Sequence, residues 1–233
     1  MASRQVLQWA LATVAAVALF ATPALGQQIR SPYRHLERTQ AGGLLAGYVA
    51  TDRGSLELGP GSGPIFGGRY GIRLTGPFTV EGEVGFMPTS RNVVDLVSDD
   101  GGETQIPVRL READLTLLQL TAALRFNLTG PRTYRNLQPF LLAGGGAAFA
   151  VSDSDKDATD LHPDVRFDFG TSFAGLLGGG IEWFPVRRLA LRLDGRLLFW
   201  ELDNPRSFVL TGDVSSDEWV QNFYLSVGAA IHF

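Results

Sequence analysis

The sequence contains no cysteine and only three histidines among its 233 residues. The absence of cysteine excludes a disulfide-stapled scaffold and any metal site built on thiolates. After residue 26, no apolar run reaches the roughly 20 residues that a membrane-spanning helix needs. Because backbone polar groups must be paired inside a bilayer, any contact with the membrane core beyond that point must be made by strands.

The amino terminus has the features of an export signal. Arg4 precedes an apolar run over residues 6–21, and the small residues Ala24 and Gly26 stand where a signal peptidase cleaves. The uninterrupted part of this run is too short for a spanning helix. We therefore predict that residues 1–26 are a signal peptide, removed on export.

The rest of the chain predicts one all-β domain. Residues 27–40 are polar and basic without a clear period, and we interpret them as a periplasmic tether ahead of a barrel over residues 41–233. The barrel region divides into eight extended segments of about the 9 to 11 residues that a tilted membrane strand requires, some slightly longer. The predicted strands are residues 41–50, 65–74, 78–87, 115–128, 138–149, 171–184, 189–200 and 219–233.

The connections between these strands alternate between longer and shorter. The longer ones are residues 51–64, 88–114, 150–170 and 201–218, and the shorter ones are residues 75–77, 129–137 and 185–188. Tight turns on one rim and extended loops on the other are typical of an antiparallel up-and-down transmembrane β-barrel. Eight strands place both ends of the barrel on the periplasmic side.

A two-residue period separates an apolar face from a polar one. In the last strand Phe223, Leu225 and Val227 alternate with Asn222 and Ser226. Charged residues of the other strands fall on the polar face, which we assign to the lumen, where unpaired charges would be costly. This predicted lumen charge network is Arg69, Arg73, Glu81, Glu83, Arg125, Glu182, Arg192, Asp194 and Arg196. The first and fifth strands are too rich in Gly, Ala and Leu for their faces to be assigned.

Aromatic residues gather at the two predicted rims. A soluble eight-stranded barrel needs no such girdles, whereas amphipathic rings favour the membrane interface. The outer girdle is predicted to be Tyr48, Phe66, Phe86, Phe149, Phe173, Phe199, Trp200 and Trp219. The inner girdle is predicted to be Phe78, Phe126, Phe140, Trp183, Phe184 and Phe233.

Residues 41–233 resemble the small eight-stranded outer-membrane barrels of the OmpA, OmpX and opacity type. The resemblance includes the segment P-F-L-L-A-G-G-G from Pro139 and the terminal strand ending in Phe233. It implies an outer-membrane location, contact with outer-membrane lipid and a role for Phe233 as the assembly signal that the barrel assembly machinery reads. We expect a monomer and no nucleic acid partner.

The charge distribution bears on function. After removal of the signal the net charge is −5, and the four longer connections hold 19 of the 24 acidic residues but 7 of the 20 basic ones. Acidic external loops favour a basic partner or a divalent cation. The alternative is that their charge serves only to keep exposed loops soluble. We expect no enzyme but a structural or surface-interaction barrel, adhesin-like, with small-solute transport or lipid modification as the alternative. An eight-stranded lumen is filled by side chains, so the charges are expected to plug it.

Carboxylates in the third external loop have the spacing of a calcium loop. Asp153, Asp155, Asp157 and Asp164 occupy positions 1, 3, 5 and 12 of a twelve-residue frame, although Ala158 stands where such loops want glycine. This predicts at most weak calcium binding, with no other cofactor. A solvated acidic loop is the alternative.

Two other groupings are weaker. His162 with Ser172 and Asp160 or Asp164 is the nearest set to a lipid-editing site, and its spacing matches no motif. The glycine triplets 144–146 and 178–180 lie inside strands, so they do not form a phosphate loop. We predict that they face each other, with Gly144 opposite Gly178, and make room for long lumen side chains.

Phe233 provides the first test. Deleting it should leave export intact but lower the amount of folded barrel in the outer membrane, because the closing strand loses its terminal aromatic side chain. Heat-modifiable migration of membrane fractions on a gel measures the folded fraction. Unchanged assembly of the truncated chain would contradict the assignment of the terminal strand.

Overall fold

The computed structural model describes residues 31–98, 105–154, 169–203, 205 and 215–233. The predicted signal peptide lies outside this part of the chain. Among the described residues, no helix is long and apolar enough to cross a membrane.

Eight long strands and two short ones make up the described structure. Their bounds are β1 Tyr33–His35, β2 Gln40–Ala50, β3 Gly63–Arg73, β4 Phe78–Ser98, β5 Gln105–Asn127, β6 Arg132–Tyr134, β7 Leu137–Asp153, β8 Thr171–Trp183, β9 Leu189–Asp203 and β10 Asp217–His232. Each of the eight predicted strands overlaps one long strand. The prediction of an all-β chain is confirmed.

The long strands close into a ring. They pair antiparallel in the order β2–β3–β4–β5–β7–β8–β9–β10, and β10 returns to β2 with a register that runs from Phe223 opposite Ala50 to His232 opposite Ala41. No sheet edge is left unpaired in the ring, as a membrane barrel requires. The predicted eight-stranded up-and-down barrel is therefore confirmed.

The second external connection is a hairpin instead of a loop. β4 continues to Ser98 and β5 begins at Gln105, so most of residues 88–114, predicted as a loop, are paired strand. A register shift between Val93 and Val94 marks a β-bulge within the pairing. Outside the bilayer a strand needs no continuous apolar face, so the alternation ends while the backbone pairing continues.

Part of the predicted tether also has regular structure. β1 pairs with β6 antiparallel, and Leu36, the residue after β1, is buried against Phe184 and Ala190. The backbone N–H of Leu36 donates to the carbonyl of Pro131 at 3.0 Å. These contacts hold the segment against the inner end of the barrel.

The strand faces follow the predicted period, and the structure assigns the two that sequence left open. In β2, Leu45 and Val49 are buried in the lumen while Leu44 and Tyr48 face outward. In β7, Phe140 lies in the lumen, fully buried. The barrel therefore has an apolar outer surface, and the periplasmic half of its lumen is mostly polar. A soluble domain has the opposite arrangement, with a polar surface and an apolar core.

The prediction is wrong for three residues that were assigned to the aromatic girdles. Trp200, Phe140 and Phe184 are each no more than 1% exposed and lie inside. All three lie near the predicted rim of the barrel. Their side chains nevertheless point inward, because side chains alternate between the two faces of a strand and these three fall on the inner face. The other girdle residues face outward, including Phe173 and Trp219, which are more than half exposed.

The external half of the lumen is apolar. Its centre is a cluster of buried side chains from all the long strands, closed by Leu58 of the first external loop and by Phe169 before β8. The indole ring of Trp200 packs edge-on against Phe169, with ring centroids 6.0 Å apart. The barrel interior is therefore packed as a hydrophobic core at this end.

The glycine triplets are not opposite each other as predicted. Gly144 pairs with Leu176, and Gly178 pairs with Leu142 on one side and Arg196 on the other. A Cβ added at Gly178 would lie 2.8 Å from the Cγ of Arg196. Glycine here makes room for the charged side chains of β9, because even one extra carbon would displace them.

Gly180 allows a direct test. A Cβ there would lie 2.6 Å from the Cβ of Asp194, so Gly180→Ala should lower the free energy of unfolding by about 1 to 3 kcal/mol through overpacking. Gly82→Ala, at a site with nothing within 4 Å, is the matched control and should change it by less than about 0.5 kcal/mol. Urea unfolding of the refolded barrel provides the measurement. Equal effects of the two substitutions would contradict this packing.

Candidate functional site

The most elaborate polar constellation among the described residues is the lumen charge network. Five strands supply its acidic and basic side chains, with β4 contributing carboxylates and β9 contributing charges of both signs. Because all these side chains point inward, they meet at adjacent levels of a lumen that is too narrow for water to screen their charges. All the ion-paired side chains are at most 11% exposed.

The half of the network nearer the periplasm centres on Glu81 and Glu182. Arg125 donates to Oε1 of Glu81 at 2.8 Å and to Oε1 of Glu182 at 2.6 Å. Arg192 donates to the same Glu81 oxygen at 2.8 Å and lies 3.6 Å from Glu182. Each carboxylate is thus shared by two guanidinium groups.

The half nearer the outside centres on Glu83. Its Oε2 accepts from Nε of Arg69 at 2.8 Å and from Nη2 of Arg196 at 2.8 Å. Its other oxygen accepts from the hydroxyl of Tyr224 at 3.1 Å. Tyr224 supplies a polar contact that sequence reasoning did not include in the network, although its parity in the last strand places it in the lumen.

Asp194 joins the two halves. Its carboxylate lies 2.7 Å from Nε of Arg192, 2.8 Å from Nε of Arg196 and 3.2 Å from Nη1 of Arg69. The result is one continuous network of four arginines and four carboxylates. Balanced charge and charge-assisted hydrogen bonds offset the large cost of burying these groups.

Aromatic rings complete the site. The guanidinium carbons of Arg192 and Arg125 lie 4.1 and 5.0 Å from the ring centroid of Phe140, and that of Arg196 lies 5.0 Å from Tyr224. Such cation–π contacts stabilise charges that are shielded from water. Sequence analysis placed Phe140 in a girdle, yet its separation by two residues from polar Gln138 was a usable sign of an inward side chain.

Arg73 is the one predicted network member with no ion pair among the described residues. It stands at the inner end of β3, where its Nη1 donates to the carbonyl of Leu36 at 2.7 Å. Its role is to fasten the segment after β1 to the barrel. Without Arg73, the network contains equal numbers of positive and negative groups.

The network leaves little open space. A cavity of about 40 Å³ adjoins it on the periplasmic side, lined by Glu81, Arg125 and His232 among others, and has room for water alone. Above the network lies the apolar cluster. The arrangement is suited to rigid closure of the barrel.

The candidate calcium site is only partly described. Asp155, Asp157 and Asp164 lie outside the described residues, whereas Asp153 ends β7 and its Oδ2 accepts from Nε of Arg91 at 2.8 Å. In the described part of the chain, no three metal-ligating side chains come together. Calcium binding stays a prediction, and an ion there would compete with Arg91 for Asp153.

Ser172, from the set considered for lipid editing, lies inside the barrel. It is buried, and its hydroxyl donates to the carbonyl of Phe169 at 3.4 Å. His162, Asp160 and Asp164 are outside the described residues. The inward direction of Ser172 separates it from the lipid-facing surface that such chemistry requires.

Phe233 closes the ring at its inner end. Its backbone N–H donates to the carbonyl of Gln40 at 2.9 Å, and its own carbonyl accepts from the Gln40 N–H at 3.2 Å. The side chain is 58% exposed and lies 6.4 Å from the ring of Tyr70. This outward position is compatible with recognition by an assembly machinery, which stays a prediction.

A closed ring of eight strands, an apolar outer surface and a charge-paired lumen define the class: the protein is a small eight-stranded β-barrel of the outer membrane. Among solved structures, the outer membrane protein OprG from Pseudomonas aeruginosa matches with a TM-score of 0.50 and 13% identity, covering 85% of this chain and 97% of that one. At such identity the likeness shows the fold alone.

Two further solved structures match the chain less closely. Neisserial surface protein A matches with a TM-score of 0.48 and 16% identity over 87% of this chain and 98% of that one. The outer membrane enzyme PagL matches with a TM-score of 0.39 and 13% identity over 81% and 97%. No protein-family model and no curated protein matches the sequence.

Removing Arg192 tests the network. Arg192→Leu leaves Glu81 and Asp194 without a shared partner, and we expect a loss of about 3 to 5 kcal/mol in the free energy of unfolding. Arg188→Leu, at an exposed site in the turn before β9, should change it by less than about 0.5 kcal/mol. Denaturant unfolding in detergent gives both values.

A double variant separates charge imbalance from lost packing. Arg192→Leu combined with Glu81→Leu again leaves equal numbers of positive and negative groups, and Arg125 keeps Glu182. We therefore expect the double variant to be more stable than Arg192→Leu alone. Wild-type stability of the single variant would show the network to be solvated.

Proposed function

We propose that this outer-membrane protein is a closed, non-enzymatic barrel with a structural or surface-interaction role, and that it presents an external hairpin and acidic loops to a basic partner. The observation that carries the proposal is the length of the β4–β5 hairpin. Its pairing continues from Pro88 opposite Thr116 to Ser98 opposite Gln105. At about 3.4 Å per residue, the ten residues after Pro88 extend roughly 34 Å.

The first external loop braces this hairpin. The N–H of Gly61 donates to the carbonyl of Ser90 at 2.7 Å, and Nη1 of Arg53 donates to Oδ1 of Asn92 at 2.9 Å. The hydroxyl of Ser90 donates to Glu112 at 2.8 Å. A braced hairpin costs less conformational entropy on binding than a free loop, which supports a role in recognition.

The same loop is tied to the opposite side of the mouth. The N–H and hydroxyl of Ser55 donate to the carboxylate of Glu218 at 3.0 and 2.7 Å, and the N–H of Asp52 donates to Asn222 at 2.9 Å. Loop 51–62 thus lies across the external opening. With Leu58 packed into the apolar cluster, this supports a barrel that does not conduct solutes.

Charge supports the choice of partner. The four longer connections hold 19 of the 24 acidic residues. At the base of the external hairpin Glu112 is exposed, and its hydrogen bond from Ser90 lowers the pKa of its carboxyl. This group therefore stays anionic in mildly acidic surroundings. Such a surface attracts basic proteins or peptides at long range and in a salt-dependent way.

Binding of poly-L-lysine to the refolded barrel tests the proposal. Glu112→Gln with Asp114→Asn should weaken binding by about three- to tenfold, because two exposed carboxylates of the hairpin are lost. Glu37→Gln, an exposed acid at the periplasmic end, is the control and should leave affinity unchanged. Fluorescence anisotropy at low and high salt measures both.

Three outcomes would overturn the proposal. Absence of any salt-dependent binding, or equal binding by wild type and the hairpin variant, would remove the assigned role of the acidic surface. Steady ion conductance of the wild-type barrel in planar bilayers would favour small-solute transport instead.

A further inference from the structure

A second site lies at the other end of the barrel. A cavity of about 300 Å³ opens between the segment that contains β1 and the turn between β8 and β9. We call it the periplasmic vestibule, and its polar lining is Arg34, His35, Glu37, Arg38, Arg187 and His232. It lies on the opposite rim from the acidic loops, so it does not depend on the function proposed above.

The walls of the vestibule are held in place by several contacts. β1 pairs with β6, Leu36 is buried against Phe184 and Ala190, and Arg73 donates to the carbonyl of Leu36. Nη1 of Arg38 also reaches the carbonyl of Arg187 at 3.3 Å. A cavity with fixed walls binds a ligand without first paying to order them.

The charge of the vestibule is not compensated. Within the described residues, none of the three arginines Arg34, Arg38 and Arg187 forms an ion pair, in contrast to the lumen, where four arginines share four carboxylates. Glu37 is the one acid in the lining, and it is exposed. Three guanidinium groups around one cavity attract an anion.

Two residues of the lining carry a buried side-chain nitrogen that lacks a hydrogen-bond partner in the described part of the chain. Among the residues that the structure describes, Nη2 of Arg34 and Nε2 of His232 accept or donate no hydrogen bond. His232 is 5% exposed, and its ring packs 5.0 Å from that of Phe184, which fixes its orientation. Buried polar groups are nearly always hydrogen-bonded, and an acceptor brought by a ligand would satisfy both nitrogens.

Phosphate has the chemistry that this lining favours. Its several oxygens accept from the planar forks of arginine and from an imidazole N–H. The volume exceeds that of a bare phosphate ion and reaches the lower end of small-molecule sites, which suits a phosphate within a headgroup. Tyr33 and Tyr134, exposed and 5.4 Å apart, stand beside Arg34 as interfacial rings do.

We propose that the periplasmic vestibule binds a phosphate group, carried either by an anionic phospholipid of the inner leaflet or by a free phosphate compound of the periplasm. The arginines supply charge and paired donors. His232 and Arg34 supply the two buried contacts.

Titration calorimetry on the refolded full chain, in a neutral detergent and phosphate-free buffer, tests the site. Short-chain phosphatidylglycerol and inorganic phosphate are the two probes, and short-chain phosphatidylcholine is the uncharged-headgroup comparison. Arg34→Gln with Arg38→Gln should weaken binding of the charged probe at least about tenfold. Arg187 is exposed in the turn before β9, and Arg187→Gln should also weaken binding of the charged probe.

The matched control is Arg132→Gln with Arg135→Gln. It removes the same charge from the same rim but from residues outside the vestibule, so binding should change less than about threefold. Binding of phosphatidylglycerol without inorganic phosphate would assign a lipid, and binding of both would assign a site open to free phosphate compounds. Binding of neither probe, or equal weakening by both double variants, would overturn the proposal. Heat-modifiable migration verifies that each variant is folded.

Discussion

The structure depends on charge pairing within a narrow lumen. Eight strands enclose too little space for water to screen buried ions, so every guanidinium group inside must find a carboxylate. Four arginines and four carboxylates satisfy this condition through the linking position of Asp194. Neighbouring features follow from it: Gly178 and Gly180 leave room for the side chains of β9, and Phe140 supports Arg192 and Arg125.

The lumen has two different halves. Ions and their hydrogen bonds fill the periplasmic half, while a hydrophobic cluster with Trp200 and Leu58 fills the external half. The ion pairs and their hydrogen bonds require particular directions between donor and acceptor atoms. The hydrophobic cluster is non-directional and stabilises the barrel in proportion to its buried apolar area. Loop 51–62 joins the two sides of the mouth and holds the hairpin that projects from it.

The two rims differ in charge. Acidic residues concentrate outside, whereas the periplasmic rim carries Arg34, Arg38, Arg187 and neighbouring arginines with little acid. In the described part of the chain, the β4–β5 hairpin outside and the β1–β6 pair at the periplasmic rim both depend on backbone pairing. In the periplasmic case the pairing is that of β1 with β6, which sequence analysis did not anticipate because three residues are too few to show a period.

Much of the barrel followed from sequence alone. The two-residue period and the lengths of the connections determined the strands, their antiparallel order and the inward direction of eight ion-paired residues, because each of these is a local property. Only the tertiary structure decided which arginine pairs with which carboxylate, because the register between strands sets the distances between these groups. It also decided that residues 88–98 stay paired beyond the bilayer, that Phe140 and Trp200 face inward, and that a cavity with unpaired arginines forms where distant segments meet.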